Sequence, residues 1–326
     1  MAPRLVRVQP GSPGISRRRA GKGFTYKSAN GRRVTSESTL ERIRGLAIPP
    51  AWTDVWIAPQ ANAHIQATGT DVAGRTQYLY HPRWRELRDA EKFTRSLSFA
   101  QSLPAVRRTV TRDLAQEADP RRRALAAAVR LLDRAGLRVG GAAYAEENGS
   151  FGASTVQRRH VTLEGDLVRL VFRGKSGGDW DVAVEDAALA SFLAMVPKTP
   201  RASPAICYPV VAGRRKHWQG VSDTDINAYL ADAASAHISA KDFRTWQGTV
   251  VAARSLARSL RAGDSSPGAV AAAIQDAATW LHNTPAVARD AYVDPRVVKH
   301  FEQGRAADFT RQADRAVLRL LTDGKA

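Results

Sequence analysis

The sequence predicts an α+β protein in which a small, mostly antiparallel β domain precedes a mainly helical domain with one small three-stranded sheet. Over 23–81, short strand-like segments are separated by turn signals, of which Asn30-Gly31 is the strongest. After Pro82 the apolar residues recur at helical spacing, most clearly over 121–135. The length supports this division, because 326 residues are enough for two domains.

The β domain is predicted to contain four strands and one helix. The strands are FTYK, VWIAP, AHIQATGTD and GRTQYLYH, with turn-forming residues between them. The segment SESTLERIRGL is typical of a short helix that Ser36 or Ser38 can cap and Gly45 can stop. Pro49-Pro50 then breaks the chain before the next strand.

The helical domain starts with helices over WRELRDAEKFTRSLSFAQSLPAVRRTVTRDL. The segment 121–135 is an amphipathic helix that Gly136 ends. Its apolar face is formed by Leu125, Ala128, Leu131 and Leu132. Residues 158–184 predict a three-stranded meander with turns at Gly165-Asp166 and KSGG. Further helices are predicted at about 186–196, 224–237, 242–261, 267–282, 284–291 and 295–321.

The charge of the chain indicates a polyanionic partner. Lys and Arg total 49 against 31 acidic residues, which gives a net charge of +18 and makes nucleic acid the first candidate. A ribosomal partner or an anionic membrane surface stays open. No acidic residue precedes Glu37, so residues 1–20 are expected to form a flexible basic arm on DNA, with an organellar transit peptide as the alternative. The domains are then 21–90 and 91–326, joined around 82–92.

Several protein classes are not indicated. The single cysteine, Cys207, rules out a disulfide framework within the chain and leaves too few thiolates for a structural zinc site. No apolar run is long enough to span a bilayer, and the basic N-terminus has no apolar core of a secretory signal. We therefore expect a cytoplasmic protein without a membrane partner.

No acidic cluster of the kind that binds catalytic metals is visible, so a metal site is not predicted. Asp179 and Asp181 come closest, but they flank Trp180 in a strand and are typical of a solvated face. If the chain acts on a phosphodiester, side-chain cations must stabilise the charge on the non-bridging oxygens.

Five residues could form such a site. Arg138 in LRVGG and Arg244 in KDFRTW could bind phosphate oxygens, although each could also be a surface or capping residue. Lys175, in the turn of FRGKSGG, could protonate a departing 5′-oxygen, or be an ordinary turn lysine. Asn283 could donate to a phosphate oxygen or cap a helix. Tyr292 could be the nucleophile if nearby cations favour its phenolate, but alone it is more typical of packing.

Taken together, these motifs resemble the poxvirus-like bacterial branch of type IB DNA topoisomerases. The resemblance covers nearly the whole chain beyond the basic arm. It is carried by GKGFTY, IPPAWTDVWI, HIQATGTDVAGRTQYLYH, LRVGG with ENGSFGAST, RRHV, FRGKSGG, KDFRTW and HNTPAVARDAYVDP.

The resemblance implies the catalytic fold that tyrosine recombinases share with these enzymes. It further implies relaxation of supercoiled duplex DNA through a 3′-phosphotyrosyl intermediate, without ATP, metal or other cofactor. Tyr292 would be the nucleophile, Arg138 and Arg244 would hold the scissile phosphate, Lys175 would be the general acid, and Asn283 would fill the fifth position. The protein would be a bacterial, nucleoid-associated monomer that closes on duplex DNA as a clamp, with 21–90 as part of the clamp.

One departure concerns the fifth position. Poxvirus and eukaryotic members have histidine nine residues before the tyrosine, where this chain has Asn283. His282 is offset by one residue, which is about 100° on a helix, so Asn283 is the better candidate. An amide can donate a hydrogen bond but cannot become a cation as imidazole can.

Additional DNA contacts are expected outside the five residues. Those candidates are Tyr78, Tyr80 and Gln77 on one strand, Tyr144 on the helix after LRVGG, and Arg158 and Arg159. For Tyr78 and Tyr80 core packing is an equal alternative. Two other functions stay open: a tyrosine site-specific recombinase, although KDFR lacks the usual HxxR histidine, and a DNA-binding protein without enzymatic activity.

Overall fold

A computed structural model describes residues 4–175, 178–310 and 312–323, without the side chains of residues 143 and 144. The chain forms two compact units, one ending at Thr94 and the other beginning at Arg95. The first contains an antiparallel sheet, and the second is mainly helical with a small sheet. The predicted α+β class is therefore confirmed.

The first unit is built around a five-stranded antiparallel sheet. Its strands lie in the order β2-β1-β3-β4-β5. Their limits are β1 Ile15–Ala20, β2 Gly23–Lys27, β3 Thr53–Ile57, β4 Ile65–Thr70 and β5 Thr76–Tyr80. Helix α1 (Glu37–Gly45) begins after Ser36, whose hydroxyl accepts from the Thr39 amide as an N-cap. The small core joins Ile43 of this helix to Ile15, Val55, Ile57 and Ala67 of the sheet.

Strand β1 differs from the sequence prediction, which placed residues 15–20 in a flexible arm. One of its arginines is part of the fold: Arg17 donates to the carbonyl oxygens of Ile48, Pro49 and Trp52. The Arg17 guanidinium also lies over the Phe24 ring, 4.1 Å from its centroid. A basic residue is therefore compatible with a sheet strand when its side chain, like that of Arg17, finds carbonyl and aromatic partners.

Helix α2 (Pro82–Ala115) spans the region around 82–92 where the two domains were expected to join. The division between the two units falls inside this helix. Pro104 lies within it. Among the described residues, no helix combines the length and apolar character needed to cross a membrane.

Beyond the end of α2, the second unit contains a series of helices. They are α3 (Pro120–Ala135), α4 (Ala142–Asn148), α5 (Ala187–Met195), α6 (Asp223–Ala234), α7 (Ala240–Arg261), α8 (Pro267–Leu281), α9 (Pro285–Ala291), α10 (Pro295–Glu302) and α11 (Ala313–Thr322). Phe243 and Trp246 of α7 are fully buried. The single helix predicted over 295–321 is wrong: the chain leaves α10 near Gly304, whose φ of +70° is a left-handed conformation that ends helices.

The predicted meander is present as β6 (Val161–Glu164), β7 (Leu167–Arg173) and β8 (Asp179–Glu185). Phe172 and Trp180 face each other across β7 and β8. A hairpin of β9 (Cys207–Ala212) and β10 (Arg215–Gly220) was not predicted.

A polar network fixes α7 to its neighbours. The Trp246 indole donates to Asp314 of α11 at 2.7 Å, and Arg107 of α2 binds both Asp314 and Asp133 of α3. Gln247 also donates to Asp133, at 3.2 Å. The beginning of α7, which carries Arg244, is therefore held from three sides.

Candidate active site

Arg244 is buried at the start of α7, with 3 % of its surface exposed. Its guanidinium donates to the carbonyl oxygen of Gly136 at 2.6 Å and to that of Leu281 at 2.8 Å. Burial, helped by the charge of Arg138, lowers the pKa of Arg244 to about 10. The side chain is still a cation at neutral pH, and it is locked between the C-terminal ends of α3 and α8.

Arg138 is positioned by a close backbone contact that only glycine permits. The amide of Ala153 donates to the Arg138 carbonyl oxygen at 2.8 Å, and the Ser154 amide donates to Val139 at 2.7 Å. A Cβ at Gly152 would overlap the Arg138 carbonyl. The backbones of the LRVGG and FGAST motifs are thus hydrogen-bonded to each other, and this contact fixes the backbone of Arg138.

Asn283 directly follows the end of α8. His282 adopts a left-handed conformation with φ of 48°, and the Asn283 amide returns to the Ala278 carbonyl at 2.9 Å. The Asn283 side chain accepts from Arg138 at 2.9 Å through Oδ1. This contact points the Nδ2 group away from Arg138, and Nδ2 has no hydrogen-bond partner among the described residues.

Unpaired donors next to fixed cations are suited to an anion. Within the described part of the chain, the Nε of Arg244 is a second buried donor without a partner. A buried donor without an acceptor is costly, and a phosphate oxygen would satisfy it. No group of three or more acidic, histidine or cysteine side chains suited to a metal occurs within those same residues.

Tyr292 follows α9 and packs against α7. The Thr249 hydroxyl donates to the Tyr292 carbonyl at 3.1 Å and accepts from the Asp294 amide at 3.0 Å. A Cβ at Gly248 would approach the Tyr292 Cβ to 3.1 Å, so glycine allows the phenol segment to lie close to the helix. The Arg244 guanidinium lies 5.1 Å from the centroid of the phenol ring.

The surroundings of Tyr292 favour its phenolate. Burial alone would raise the pKa of the phenol, but the charge of Arg244 and a hydrogen bond to it outweigh that effect. The charges of Arg138 and Lys241 act in the same direction, and the net result is a lowered pKa. A phenol with lowered pKa among three cations has the properties of an activated nucleophile.

Lys175 occupies the turn between β7 and β8 and is exposed. The turn is closed by a hydrogen bond from the Gly174 amide to the Gly178 carbonyl at 2.8 Å. Its base is tied to the segment after α4, because the Ser150 hydroxyl donates to the Gly174 carbonyl at 3.1 Å. The structure therefore gathers Arg138, Arg244, Asn283 and Tyr292 and places Lys175 on an exposed turn of the same unit.

Comparison with known proteins agrees with this arrangement. Residues 81–315 match the family described as eukaryotic DNA topoisomerase I, catalytic core, and residues 23–71 match the bacterial DNA topoisomerase IB N-terminal domain. The chain belongs to the type IB DNA topoisomerase family. A DNA topoisomerase 1B of Acanthamoeba polyphaga mimivirus is 28 % identical over 285 residues, which cover 86 % of this chain and 85 % of the viral protein. The protein is therefore an isomerase that acts on DNA.

The predicted DNA contacts of the topoisomerase differ in accessibility. Tyr78 and Tyr80 are 42 % and 37 % exposed, and their rings stack with centroids 6.0 Å apart, so they do not serve as core residues. Gln77 is partly buried and donates to Asp71 at 2.8 Å. The side chain of Tyr144 lies outside the described residues.

The two adjacent arginines of this topoisomerase have different surroundings. Arg158 is buried and donates to the Leu193 carbonyl at 2.9 Å, so it supports the fold from within. Arg159 is exposed and lines a cavity of about 640 Å³ beside α4, with its guanidinium 5.9 Å from the centroid of Phe151. Of the pair, only Arg159 is accessible to a backbone phosphate.

Two features of the topoisomerase site were not predicted. Lys241 lies three residues before Arg244 on α7 and contributes to the lowered pKa of Tyr292. The sequence signal for Lys241 was its position about one helical turn before Arg244, a residue proposed to bind phosphate. Trp180, assigned only to a strand, is buried and stacks on His282 with ring centroids 4.0 Å apart. No local pattern connects those two rings.

Proposed function

We propose that the enzyme relaxes supercoiled duplex DNA by transient cleavage of one strand through a 3′-phosphotyrosyl bond. The observation that carries the proposal is a phenol of lowered pKa next to a buried arginine, with two unpaired buried donors beside it. An in-line attack on a phosphodiester requires an activated nucleophile and fixed groups that bind the phosphate oxygens.

In the cleavage step, the Tyr292 oxygen attacks the scissile phosphorus after loss of the phenol proton to solvent. A bond forms between phosphorus and the Tyr292 oxygen as the bond to the 5′-oxygen breaks. Lys175 donates a proton to that leaving oxygen, and a free 5′-hydroxyl results. Arg138, Arg244 and Asn283 bind the non-bridging oxygens, where charge accumulates in the transition state.

Religation is the same step in reverse. The 5′-hydroxyl attacks the phosphotyrosyl diester, Lys175 takes up its proton, and Tyr292 leaves. Since one diester replaces another, the bond energy is kept and no ATP is required. Side-chain cations supply the charge stabilisation, so we expect relaxation to continue in EDTA. A strict requirement for ATP or a divalent metal would contradict this mechanism.

The same proposal covers the wider behaviour of the enzyme. We propose a monomer that closes on duplex DNA as a clamp and acts at the bacterial nucleoid. The net charge of +18 supports binding through backbone phosphates, and affinity should fall steeply as salt rises. Multiple turnover on a plasmid without paired sites separates this activity from that of a recombinase.

The decisive variant is Tyr292→Phe, which removes only the nucleophilic oxygen. We expect no plasmid relaxation and no covalent adduct, while binding to duplex DNA remains. The matched control is Tyr208→Phe on β9, which is partly buried outside the site and should relax plasmid normally. Mapping the adduct on a suicide substrate should identify Tyr292 at a 3′-phosphate. Relaxation by Tyr292→Phe would refute the proposal.

A further inference from the structure

Three stacked rings connect the hairpin that carries Lys175 to the segment that carries Asn283. The Phe172 ring on β7 and the Trp180 ring on β8 are nearly parallel, at 8° and 5.8 Å between centroids. On Trp180 the His282 ring stacks at 18° and 4.0 Å. His282 is the last link, and it lies immediately before Asn283 in the chain.

Trp180 is also in direct contact with the backbone that carries Lys175. A Cβ at Gly174 would overlap the indole Nε1 and Cδ1 atoms, so the indole edge packs on that glycine. Gly174 precedes Lys175 and closes the turn through its bond to Gly178. A shift of the Trp180 ring would therefore be transmitted directly to the base of the Lys175 turn.

The opposite end of the stack fixes Asn283. His282 has a left-handed backbone at the end of α8, and its ring stacks on Trp180 of β8. Arg138 holds the Asn283 side chain at 2.9 Å. Strand β8 and the Asn283 segment are thus joined by a ring stack through the His282 side chain.

The His282 ring is suited to stacking rather than to proton donation. Burial lowers the pKa of His282, and the charges of Arg244 and Arg138 act in the same direction, which favours the neutral imidazole. A neutral ring lying flat on an indole gains dispersion and stacking energy without adding another positive charge to the site.

We propose that His282 is a positioning residue: through its stack on Trp180 it sets the distance between the Lys175 turn and the phosphate held beside Asn283. This inference rests on the proposed function, since it assumes that Lys175 is the general acid. Lys175 and Asn283 lie more than a hundred residues apart in the chain, and the stack connects their two segments. Without it, the turn would sample positions from which Lys175 cannot reach the 5′-oxygen.

A leaving group that needs no proton tests this role. In a substrate with sulfur in place of the bridging 5′-oxygen, the departing thiolate has a pKa of about 8.5 rather than that of an alcohol, so general-acid catalysis becomes unnecessary. Defects that act through Lys175 should then disappear, whereas defects in phosphate binding should remain. Single-turnover cleavage rates on both substrates provide the measurement.

The test variants are His282→Asn and His282→Phe. Asparagine tolerates the left-handed backbone but has no ring, whereas phenylalanine keeps a neutral ring for the stack. For His282→Asn we expect a loss of about tenfold to a hundredfold with the oxygen substrate, as for a misplaced catalytic group, and a loss below about threefold with sulfur. His282→Phe should cleave the oxygen substrate at least about fivefold faster than His282→Asn.

Lys175→Ala provides the reference for the sulfur rescue. If Lys175→Ala is rescued by sulfur but His282→Asn is not, the positioning role is wrong while the proposed function stands. If Lys175→Ala itself is not rescued, the general-acid assignment fails and the inference fails with it. Unchanged cleavage by His282→Asn, or equal rates for the two His282 variants, would also overturn the proposal.

Discussion

The phosphate-binding side of the site and the Lys175 turn are built in opposite ways. Arg244 is buried and held by two backbone carbonyls, and Asn283 is oriented by Arg138. Lys175 instead lies on an exposed hairpin turn beside Gly174. Groups that stabilise developing charge act best when they are already fixed, because reorganisation would consume their advantage.

A proton donor has a different requirement. It must reach the leaving oxygen only once DNA is bound, and the flexible four-carbon stem of lysine suits that movement. The contrast predicts that substitutions on the buried side damage both stability and chemistry, whereas substitution of the turn lysine damages chemistry alone. Substitutions of Arg244 and Lys175 test that separation.

The largest loss is expected for Arg244→Ala. It removes a fixed cation from the transition state, for which we expect a fall in cleavage rate of at least about 10³-fold. It also leaves the carbonyls of Gly136 and Leu281 without their donor, so the free energy of unfolding should fall by about 1–3 kcal/mol. Single-turnover cleavage and urea unfolding measure the two effects.

Arg258→Ala is the matched control on the same helix. Arg258 is exposed and pairs with Asp276 at 3.0 Å, a surface ion pair of little weight. Both cleavage and stability should stay close to those of the parent enzyme. A stable but inactive Arg244→Ala protein would show that the buried hydrogen bonds contribute less to folding than the comparison requires.

Lys175→Ala should lose activity but, unlike Arg244→Ala, keep its stability. Loss of a general acid typically costs about 10²–10⁴-fold, and we expect the cleavage rate to fall within that range. Because the side chain is exposed, the urea midpoint should be unchanged. A marked loss of stability would mean that the turn is as firmly built into the core as the phosphate-binding side.

Asn283 offers a comparison within the buried side. Asn283→Asp keeps the oxygen that accepts from Arg138 but replaces the unpaired Nδ2 donor with a negative charge facing the phosphate. We expect cleavage to fall by about 10²-fold, and by only about tenfold for Asn283→Ala, which removes the donor without adding charge. Equal rates for the two variants would argue that Asn283 only supports Arg138.

The sequence predicted the site through its motifs but not through its contacts. KDFRTW, FRGKSGG and HNTPAVARDAYVDP identify the chemistry because each carries one required group. The hydrogen bond from Arg138 to Asn283 joins residues that are 145 positions apart in the chain, and no local sequence pattern encodes it. The same holds for the stack of Trp180 on His282, which depends on how α8 ends against β8.

The fold shows where local reasoning fails. The alternation of side chains along a strand correctly placed Tyr78 and Tyr80 on one face, because strand geometry alone determines which side a residue occupies. The neighbours Arg158 and Arg159 look identical in sequence, yet one is buried and the other exposed. Arg17 was assigned to a flexible arm because charge suggests solvation, whereas tertiary carbonyl partners bring it into the sheet.

The smallest predicted effect concerns Lys241, an exposed cation that acts on a partly buried phenol. Its charge contributes to the lowered pKa of Tyr292, so Lys241→Gln should raise that pKa. Less phenolate is then present at neutral pH. The rising limb of the cleavage rate against pH should move to higher pH, with a loss of about two- to fivefold at pH 7 and none where the phenol is fully ionised.

The salt dependence of the Lys241→Gln defect provides a second test. A charge acting from the surface is screened as ionic strength rises, so the difference between Lys241→Gln and the parent enzyme should shrink, whereas the defect of Arg244→Ala should persist. Lys299→Gln, an exposed lysine in the last turn of α10, is the control and should leave the profile in place. A shift to lower pH, or a shift that salt does not change, would show that the phenol responds to the buried arginines alone.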